Sequence, residues 1–261
     1  MIVPFTKAAA CGNDFLMVDG TVAPADIAEL TRRLCDRHNG IGADGVEWLF
    51  ATDDADVYAR LINADGSDAE ISGNGTRCVA AYLCAERGRE TFRIRTGAGI
   101  KTCTLTARAG SRYDFEVAMG KPEVGDEKML RISSGETRGT PVSMGNPHFV
   151  IFVDAFPARW QQHAAEIQRE GGFPGGVNVE FVRVHDSHHL EVRFFERGVG
   201  ETQSSGTGSS ASAAAAIANG RAQSPVRIET AGGLQVVRWE DELYLRGSAE
   251  LICRGEFFGQ D

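Results

Sequence analysis

The stretch Ser72-Gly73-Asn74-Gly75-Thr76 occurs a second time, in altered form, as Ser205-Gly206-Thr207-Gly208-Ser209. The offset between the copies is 133 residues, the difference between positions 205 and 72. The same offset separates Gly12-Asn13 from Gly145-Asn146. One short motif recurs easily by chance, whereas several motifs at one fixed offset do not. The sequence therefore indicates an internal duplication with two equivalent loops that can face each other across a cleft.

Each copy is predicted to form a strand, a tight turn and a helix. The predicted strands are 57–62 and 190–195, and the helices that follow the turns are 76–86 and 209–218. Gly88 and Gly220 stand where helices commonly end. Glycines let backbone N–H groups approach a ligand, and a helix N-terminus favours an anion. A single loop of this kind is better explained as a serine N-cap without a ligand, but the repeated pair favours two loops that hold one carboxylate or phosphate from two sides.

The length and the duplication predict two domains. The first would comprise residues 1–120, with 250–261 returning to it, and the second 121–249, joined by a polar linker at 120–128. Short strands dominate and long helices are few. The additional predicted strands are 14–18, 45–50, 91–97, 100–107, 112–118, 147–153, 177–184, 225–230, 234–239 and 242–246, and the additional helices are 25–37 and 157–169. This pattern predicts an α+β fold in which each half is a curled sheet or barrel around a central helix.

Composition narrows the class of protein. A net charge of −9 and a pI near 5.2 argue against nucleic-acid binding and against an anionic membrane surface. No apolar run approaches the ~20 residues of a membrane span, and the N-terminus does not resemble a signal peptide. The six cysteines are scattered and form no C-x-x-C pair. We therefore expect a cytoplasmic protein with reduced thiols and no membrane or nucleic-acid partner.

The segment His185-Asp186-Ser187-His188-His189 contains several potential metal ligands. It lies between two predicted strands, and its spacing matches no standard zinc pattern. Asp and Ser in the middle are typical of a turn. The sequence therefore favours a solvated hairpin turn, and we expect no metal site.

Six motifs, in order along most of the chain, resemble those of the diaminopimelate epimerase family. They are Gly12-Asn13-Asp14-Phe15, Gly40-Ile41-Gly42-Ala43-Asp44-Gly45, Asn63-Ala64-Asp65-Gly66-Ser67, Gly73-Asn74-Gly75-Thr76-Arg77-Cys78, Met144-Gly145-Asn146-Pro147-His148 and Glu196-Arg197-Gly198-Val199-Gly200-Glu201-Thr202. The resemblance implies two pseudo-symmetric domains, an active site in the cleft between them, and frequent dimerisation. It implies no metal, pyridoxal phosphate or nucleotide. The implied reaction interconverts LL- and meso-diaminopimelate, an amino acid on the route to lysine and peptidoglycan.

This reaction explains why a duplicated scaffold would be useful. Inverting an α-carbon without a cofactor requires removal of a proton from one face and return of a proton to the other. Two acid/base groups must therefore flank the carbon. Backbone N–H groups at two helix N-termini can stabilise the charge that develops on the carboxylate.

The resemblance also implies roles for individual residues. The distal end of the substrate would be bound by Asn13, Asn63, Asn146, Asn178 and Arg197, with carbonyl groups near Glu196 accepting from the distal ammonium. A guanidinium fork such as that of Arg197 matches a carboxylate well. The reacting carboxylate would be held by Gly73, Asn74, Gly206 and Thr207.

The chain departs from the family pattern at the two catalytic bases. The family has cysteine before each Gly-x-Gly, whereas this chain has Ser72 and Ser205. A thiol has a pKa near 8.5, while a serine hydroxyl is a much weaker acid and normally needs a partner base. The sequence offers His148 and Glu201 as candidate partners.

Several functions remain compatible with this departure. The chain could be an epimerase whose serines, native or substituted, act with a partner base. It could instead be a one-base isomerase or dehydratase, or a non-catalytic binder of a related amino acid. A periplasmic-type binding protein is disfavoured because no signal peptide is recognised. An isomerase of the phenazine-pathway type would need a glutamate as acid/base, for which only Glu70 is adjacent to a loop. The retained distal-site residues favour a diaminopimelate-like ligand.

Overall fold

The computed structural model describes residues 1–170 and 172–259. The helices in these residues are α1 (Ile27–Cys35), α2 (Gly73–Arg87), α3 (Trp160–Glu170) and α4 (Gly206–Ala218). The strands are β1 (Ile2–Ala10), β2 (Asn13–Asp19), β3 (Gly45–Phe50), β4 (Val57–Asn63), β5 (Asp68–Ala69), β6 (Thr91–Thr96), β7 (Gly99–Ala109), β8 (Arg112–Gly120), β9 (Glu123–Val124), β10 (Lys128–Ile132), β11 (Gly135–Ser143), β12 (Pro147–Phe152), β13 (Asn178–Asp186), β14 (His189–Glu196), β15 (Gly200–Thr202), β16 (Val226–Thr230), β17 (Gly233–Trp239) and β18 (Leu243–Phe258).

The chain divides into two compact units. Unit 1 consists of Met1–Val117 together with the chain from Gly247 onward, and unit 2 is Ala118–Arg246. The C-terminal half of β18 belongs to unit 1, where Glu250 to Phe258 pair antiparallel with β1. The last two residues of the predicted return segment, 260 and 261, lie outside the described residues.

In unit 1 the strands follow the order β18-β1-β2-β3-β4-β6-β7-β8. β8 also pairs with β18, and beside this pairing the Leu251 N–H donates to the Ser111 carbonyl over 3.0 Å, which closes the ring of strands. Helix α2 packs against β1, β2, β4, β6 and β7. Most of its residues are buried, as expected of a central helix.

Unit 2 repeats this arrangement. Its strands follow β11-β12-β13-β14-β16-β17-β18, with β12–β13 and β14–β16 parallel and the other pairs antiparallel. Helix α4 packs against β11–β14, β16 and β17. The four consecutive alanines 213–216 are fully buried, because only small side chains allow strands to surround a helix closely.

The strand registers of the two units are equivalent at the offset of 133. In unit 1 the register pairs Val46 with Ile62 and Glu47 with Leu61; in unit 2 it pairs Val179 with Phe195 and Glu180 with Phe194. Every partner is displaced by the same number of residues. The predicted α+β class and the duplicated architecture, with a sheet around a central helix in each half, are therefore confirmed.

Six strands were not predicted from the sequence: the longer β1, β10 and β11, and the short β5, β9 and β15. Alanine, glycine and proline, which have low strand propensity, occur in β1 and β11. These segments are ordered by hydrogen bonding to partner strands, and β1 finds one partner more than 240 residues away in sequence. The predicted linker 120–128 also contains a short strand, β9, which pairs with β11.

The helices α2 and α4 begin three residues earlier than predicted, because each glycine-rich turn itself forms the first helical turn. Helix α1 is shorter than predicted and starts after Asp26, whose side chain accepts from the Glu29 N–H. No helix among the described residues is long and apolar enough to cross a membrane.

Candidate active site

Ser72 occupies the N-cap position of α2 in unit 1. Its Oγ accepts a hydrogen bond from the Gly75 N–H over 3.0 Å, and its carbonyl accepts from Thr76 Oγ1 over 2.8 Å. The side chain is half-buried. An N-cap serine lies beside the free N–H groups and the positive end of the helix dipole. A carboxylate bound at this turn would therefore lie next to the Ser72 hydroxyl.

A buried polar network fixes the loop around Ser72. Asn74 donates from Nδ2 to Asn13 Oδ1 over 2.7 Å, and Asn13 donates to Asp44 Oδ2 over 3.0 Å. The Asn74 Oδ1 atom accepts from Arg77, whose fully buried guanidinium also donates to the Gly73 carbonyl. Two of the predicted binding residues of unit 1, Asn13 and Asn74, are thus joined directly.

Glu47 on β3 lies beneath this turn. A β-carbon at position 75 would be 2.2 Å from Glu47 Oε1 and 3.2 Å from Ser72 Cβ, so only glycine leaves room there. Glu47 is 3% exposed. Burial raises the pKa of its carboxyl group to about 8. Cys78, further along α2, is fully buried, and burial raises the pKa of its thiol well above the ordinary value, which disfavours a thiolate there.

Ser205 occupies the equivalent N-cap of α4 in unit 2, but its hydrogen bonding is different. Its Oγ accepts from the Gly208 N–H over 3.2 Å and donates to Glu196 Oε1 over 2.6 Å. Ser205 is only 6% exposed. A hydroxyl that already donates to a carboxylate is arranged for transfer of its proton to that carboxylate. In the described residues the carboxylate hydrogen-bonded to Ser205 is that of Glu196, whereas the sequence analysis offers His148 and Glu201 as candidate partners.

His148 on β12 is buried and belongs to a series of hydrogen-bonded polar groups. Its Nδ1 is 2.7 Å from Glu180 Oε1, and its Nε2 is 3.0 Å from Asn146 Oδ1. Asn146 in turn donates to Thr207 Oγ1 over 3.4 Å. Burial raises the pKa of Glu180, although the neighbouring His148 opposes that shift. These hydrogen bonds join three predicted site residues, Asn146, His148 and Thr207, and end at Glu180, which the sequence analysis did not identify.

The segment that carries Arg197 is anchored by Asn178. Asn178 Oδ1 accepts from the Arg197 backbone N–H over 2.9 Å, and its Nδ2 donates to the Pro147 carbonyl over 3.1 Å. The guanidinium of Arg197 is exposed and donates from Nη1 to the Gly175 carbonyl over 2.6 Å. Its remaining N–H groups leave capacity for a carboxylate.

Two predicted site residues have other partners. Asn63 donates from Nδ2 to Ser67 Oγ over 3.0 Å, within its own turn. Glu201 is exposed and accepts from Gln161 Nε2 over 3.0 Å. Neither forms a hydrogen bond to a catalytic-position serine in the described residues.

The hairpin prediction for residues 185–189 is confirmed, since β13 and β14 are joined by a turn there. The structure adds Glu229 from β16, so that the ligand atoms of His185, His189 and Glu229 lie within 4.8 Å of one another. Each histidine is hydrogen-bonded to a carboxylate: His185 to Glu191 over 3.2 Å and His189 to Glu229 over 3.0 Å. These cross-strand pairs account for the cluster.

Sequence reasoning missed Glu47, Glu180 and Arg77. A signal for the two glutamates was present, because they stand 133 residues apart, at the same offset as the serines. Two surface pockets within single units, of about 590 and 370 Å³, contain neither serine. The candidate active-site serines lie instead at the N-termini of α2 and α4.

Comparison with known proteins identifies relatives of the whole chain. The sequence model of the diaminopimelate epimerase family matches residues 5–125 and 140–252. The chain is 38% identical to the diaminopimelate epimerase of Pelotomaculum thermopropionicum, covering 97% of this chain and 98% of that protein. It is 36% identical to the enzyme of the same name from Halothermothrix orenii, with both chains covered completely.

Among solved structures, a probable proline racemase from Agrobacterium radiobacter superimposes with a TM-score of 0.73 at 18% identity, covering 97% of this chain and 92% of that one. A phenazine biosynthesis protein of the PhzF family from Bacillus anthracis gives 0.71 at 15% identity, covering 98% and 99%. These likenesses show the shared fold. The match of the family model over both halves and the full-length relatives show that the chain belongs to the diaminopimelate epimerase family.

Proposed function

We propose that this protein is a cofactor-independent amino-acid epimerase that interconverts LL- and meso-diaminopimelate, with Ser72 and Ser205 in place of the two cysteine bases. The observation that carries the proposal is the pair of equivalent helix N-termini, each capped by a serine. One of these serines already donates to a carboxylate. Family membership supplies the substrate.

The proposed reaction needs one acid/base group for each face of the α-carbon, and each unit offers one serine at a helix N-terminus. On the Ser205 side, the proton leaving the α-carbon goes to Oγ while the hydroxyl proton passes to Glu196. The free N–H groups of α2 and α4 stabilise the charge that develops on the substrate carboxylate. Return of a proton from the opposite face completes the inversion.

Substrate selection would rest on the distal site. Arg197 would pair with the distal carboxylate, with Asn13, Asn63, Asn146 and Asn178 completing the polar contacts, as the family motifs imply. We further propose a cytoplasmic homodimer that supplies lysine biosynthesis and needs neither metal nor organic cofactor. The acidic net charge of −9 supports the absence of a nucleic-acid partner.

The test is exchange of the α-proton in D₂O, with LL- and meso-diaminopimelate supplied separately. We expect deuterium uptake from both isomers together with a change in the isomer ratio. The double variant Ser72→Cys, Ser205→Cys should accelerate both processes, because a thiol is the stronger acid. The proposal fails if neither the serine protein nor the cysteine variant exchanges the proton.

One observation favours a second candidate, a one-base reaction. Only Ser205 is hydrogen-bonded to a carboxylate, whereas Ser72 donates to no group in the described residues. A one-base enzyme, such as an isomerase or a dehydratase, would exchange the proton of one isomer without epimerisation. The same D₂O experiment therefore separates the two candidates.

A further inference from the structure

The unexplained feature of the site is the buried carboxyl group of Glu47. It lies on the β3 face that contacts α2, in register with Met17 on β2 and Leu61 on β4. Its counterpart in unit 2, Glu180, contacts the equivalent glycine turn, since a β-carbon at Gly208 would be 2.9 Å from Glu180 Oε1. The duplicated fold thus places one buried glutamate beneath each serine-capped turn.

The two glutamates differ in their partners. Glu180 is held by His148, but the position equivalent to His148 in unit 1 is Phe15, which cannot form a hydrogen bond. Within residues 1–170 and 172–259, no side-chain hydrogen bond to Glu47 is formed. Glu47 is 3% exposed, and an ionised carboxyl group without a hydrogen-bond partner is unfavourable at such a position.

Ser72 is a polar residue beside the same glycine turn as the Glu47 carboxyl group. The point at which a β-carbon of residue 75 would stand is 2.2 Å from Glu47 Oε1 and 3.2 Å from Ser72 Cβ. The carboxyl oxygen and the serine Cβ can therefore be separated by no more than the sum of these distances. The Ser72 Oγ accepts from Gly75, which leaves its own proton available for donation.

Resting on the epimerase function proposed above, we propose that Glu47 is the proton-accepting partner of Ser72 and acts on the substrate only through that serine. As the α-carbon–hydrogen bond breaks, its proton goes to Ser72 Oγ, and the hydroxyl proton passes to the ionised Glu47 carboxylate. The electron pair stays on the α-carbon and is delocalised into the adjacent substrate carboxylate. In the reverse direction the protonated Glu47 returns its proton through Ser72.

The surroundings of Glu47 make its carboxylate a strong base. Of the groups packed against it, Met17 and Leu61 are uncharged, and Cys78 from α2 is a buried thiol whose pKa is itself raised. No cation offsets the burial, and the pKa of the Glu47 carboxyl group is about 8. A general base whose pKa lies near the working pH is well matched to its task.

The experiment measures α-proton exchange in D₂O separately for each isomer, in the wild type, Glu47→Gln, Glu47→Asp and Glu196→Gln. We expect Glu47→Gln to reduce exchange at least about 30-fold for one isomer and less than about threefold for the other. Glu196→Gln should give the opposite selectivity. Glu47→Asp should restore part of the lost exchange, because it keeps a carboxylate.

Two readouts distinguish this role from a structural one. Exchange of the Glu47-dependent isomer should increase with pH up to about 8 in the wild type, and this increase should be absent in Glu47→Gln. In addition, the Gly75 amide resonance should titrate near pH 8 in the unliganded protein and not in Glu47→Gln, which requires no activity.

Equal losses for both isomers, or none for either, would overturn the assignment of Glu47. If neither the wild type nor the Ser72→Cys, Ser205→Cys variant exchanges the proton, the proposed function fails and the assignment of Glu47 falls with it. If only the cysteine variant exchanges it, the assignment of Glu47 alone is overturned. If the wild type and Glu47→Gln both exchange the α-proton of both isomers at similar rates, only the role of Glu47 is overturned.

Discussion

The two glycine-rich turns share a backbone but differ in the acids that surround them. In unit 2, Ser205 donates to Glu196, and the buried Glu180 is paired with His148. In unit 1, the position equivalent to Glu196 is Asn63, which bonds to Ser67, and the buried Glu47 has no histidine partner. The duplication thus preserved the helix N-termini and the buried glutamates but not their hydrogen bonds.

This difference shows how a symmetric scaffold can support an asymmetric task. The single α-hydrogen lies on one face of the carbon in one stereoisomer and on the opposite face in the other. Each base therefore removes the proton of a different isomer, and the two bases need not be alike. What both need is a serine at a helix N-terminus and a carboxylate that can take its proton. In unit 2 this carboxylate is Glu196, at the end of β14. In unit 1 we assign the role to Glu47 on β3.

The largest effect that would sharpen the comparison is removal of one serine at a time. Ser72→Ala and Ser205→Ala should each lower epimerisation by about 10³-fold, because one acid/base group is lost. Each variant should still exchange the proton of one isomer, and not the same one. The assay is deuterium uptake combined with isomer analysis by chiral chromatography.

Ser204→Ala provides a matched control, since Ser204 is a buried neighbour that accepts from Gln235. We expect its epimerisation rate to stay within about threefold of the wild type. If Ser72→Ala keeps full epimerisation, Ser72 is not one of the two acid/base groups and its proposed role is wrong.

The buried pair of unit 2 should contribute to stability. His148→Ala leaves the buried Glu180 without its partner, and we expect a loss of about 3 kcal/mol in the free energy of unfolding. Denaturant titration measures this. The double variant with Glu180→Gln should recover at least about 1 kcal/mol, because the unpaired acid is then absent. No loss in His148→Ala would mean that the pair stabilises nothing.

The unpaired glutamate of unit 1 should make stability depend on pH. The pKa of Glu47 is about 8 in the folded chain, against the ordinary value of 4.5 that applies in the unfolded chain. Between these two pH values the folded state therefore binds more protons than the unfolded state. Stability should therefore decrease as pH rises through this window, by up to about 1.4 kcal/mol per pH unit. Thermal unfolding at several pH values measures the slope.

Glu47→Gln should flatten this slope, because glutamine does not ionise. Glu136→Gln serves as a control, since Glu136 is exposed and paired with Arg131, so it should leave the slope unchanged. An identical slope in Glu47→Gln and the wild type would show that Glu47 is not buried as an acid.

The smallest effect concerns the ends of the two helices. Gly88 caps α2 with φ 65°, and Gly220 follows the Asn219 cap of α4 with φ 67°. A β-carbon would meet no atom within 4 Å at either position, so only backbone strain opposes alanine. Gly88→Ala and Gly220→Ala should each lose about 1 kcal/mol in denaturant titrations.

Gly88→Asn should lose less than Gly88→Ala, since asparagine adopts the left-handed conformation more readily. Equal stability of Gly88→Ala and the wild type would contradict this reading. A clear difference between Gly88→Ala and Gly220→Ala would show that the two helix ends are not equivalent.

Much of the fold could be predicted because it depends on local signals and on repetition. β3 was predicted with the bounds that the structure has, since Gly45 to Phe50 is a short run that is apolar apart from Glu47. β1 was missed because its alanine-rich sequence has little strand propensity, and it is ordered by β2 and β18. The C-terminal half of β18 was also missed. It is ordered by pairing with β1, which lies at the opposite end of the chain.

The candidate site divides in the same way. The sequence alone determined the duplicated turns, the serines in the two base positions and the family resemblance, because these are properties of residue identity and spacing. Only the tertiary structure decided that Ser205 meets Glu196 rather than His148 or Glu201, and that Glu47 lies beneath Ser72. The physical reason is that a hydrogen bond depends on strand register and on which face of the sheet a side chain occupies, and both are set by pairing between distant segments.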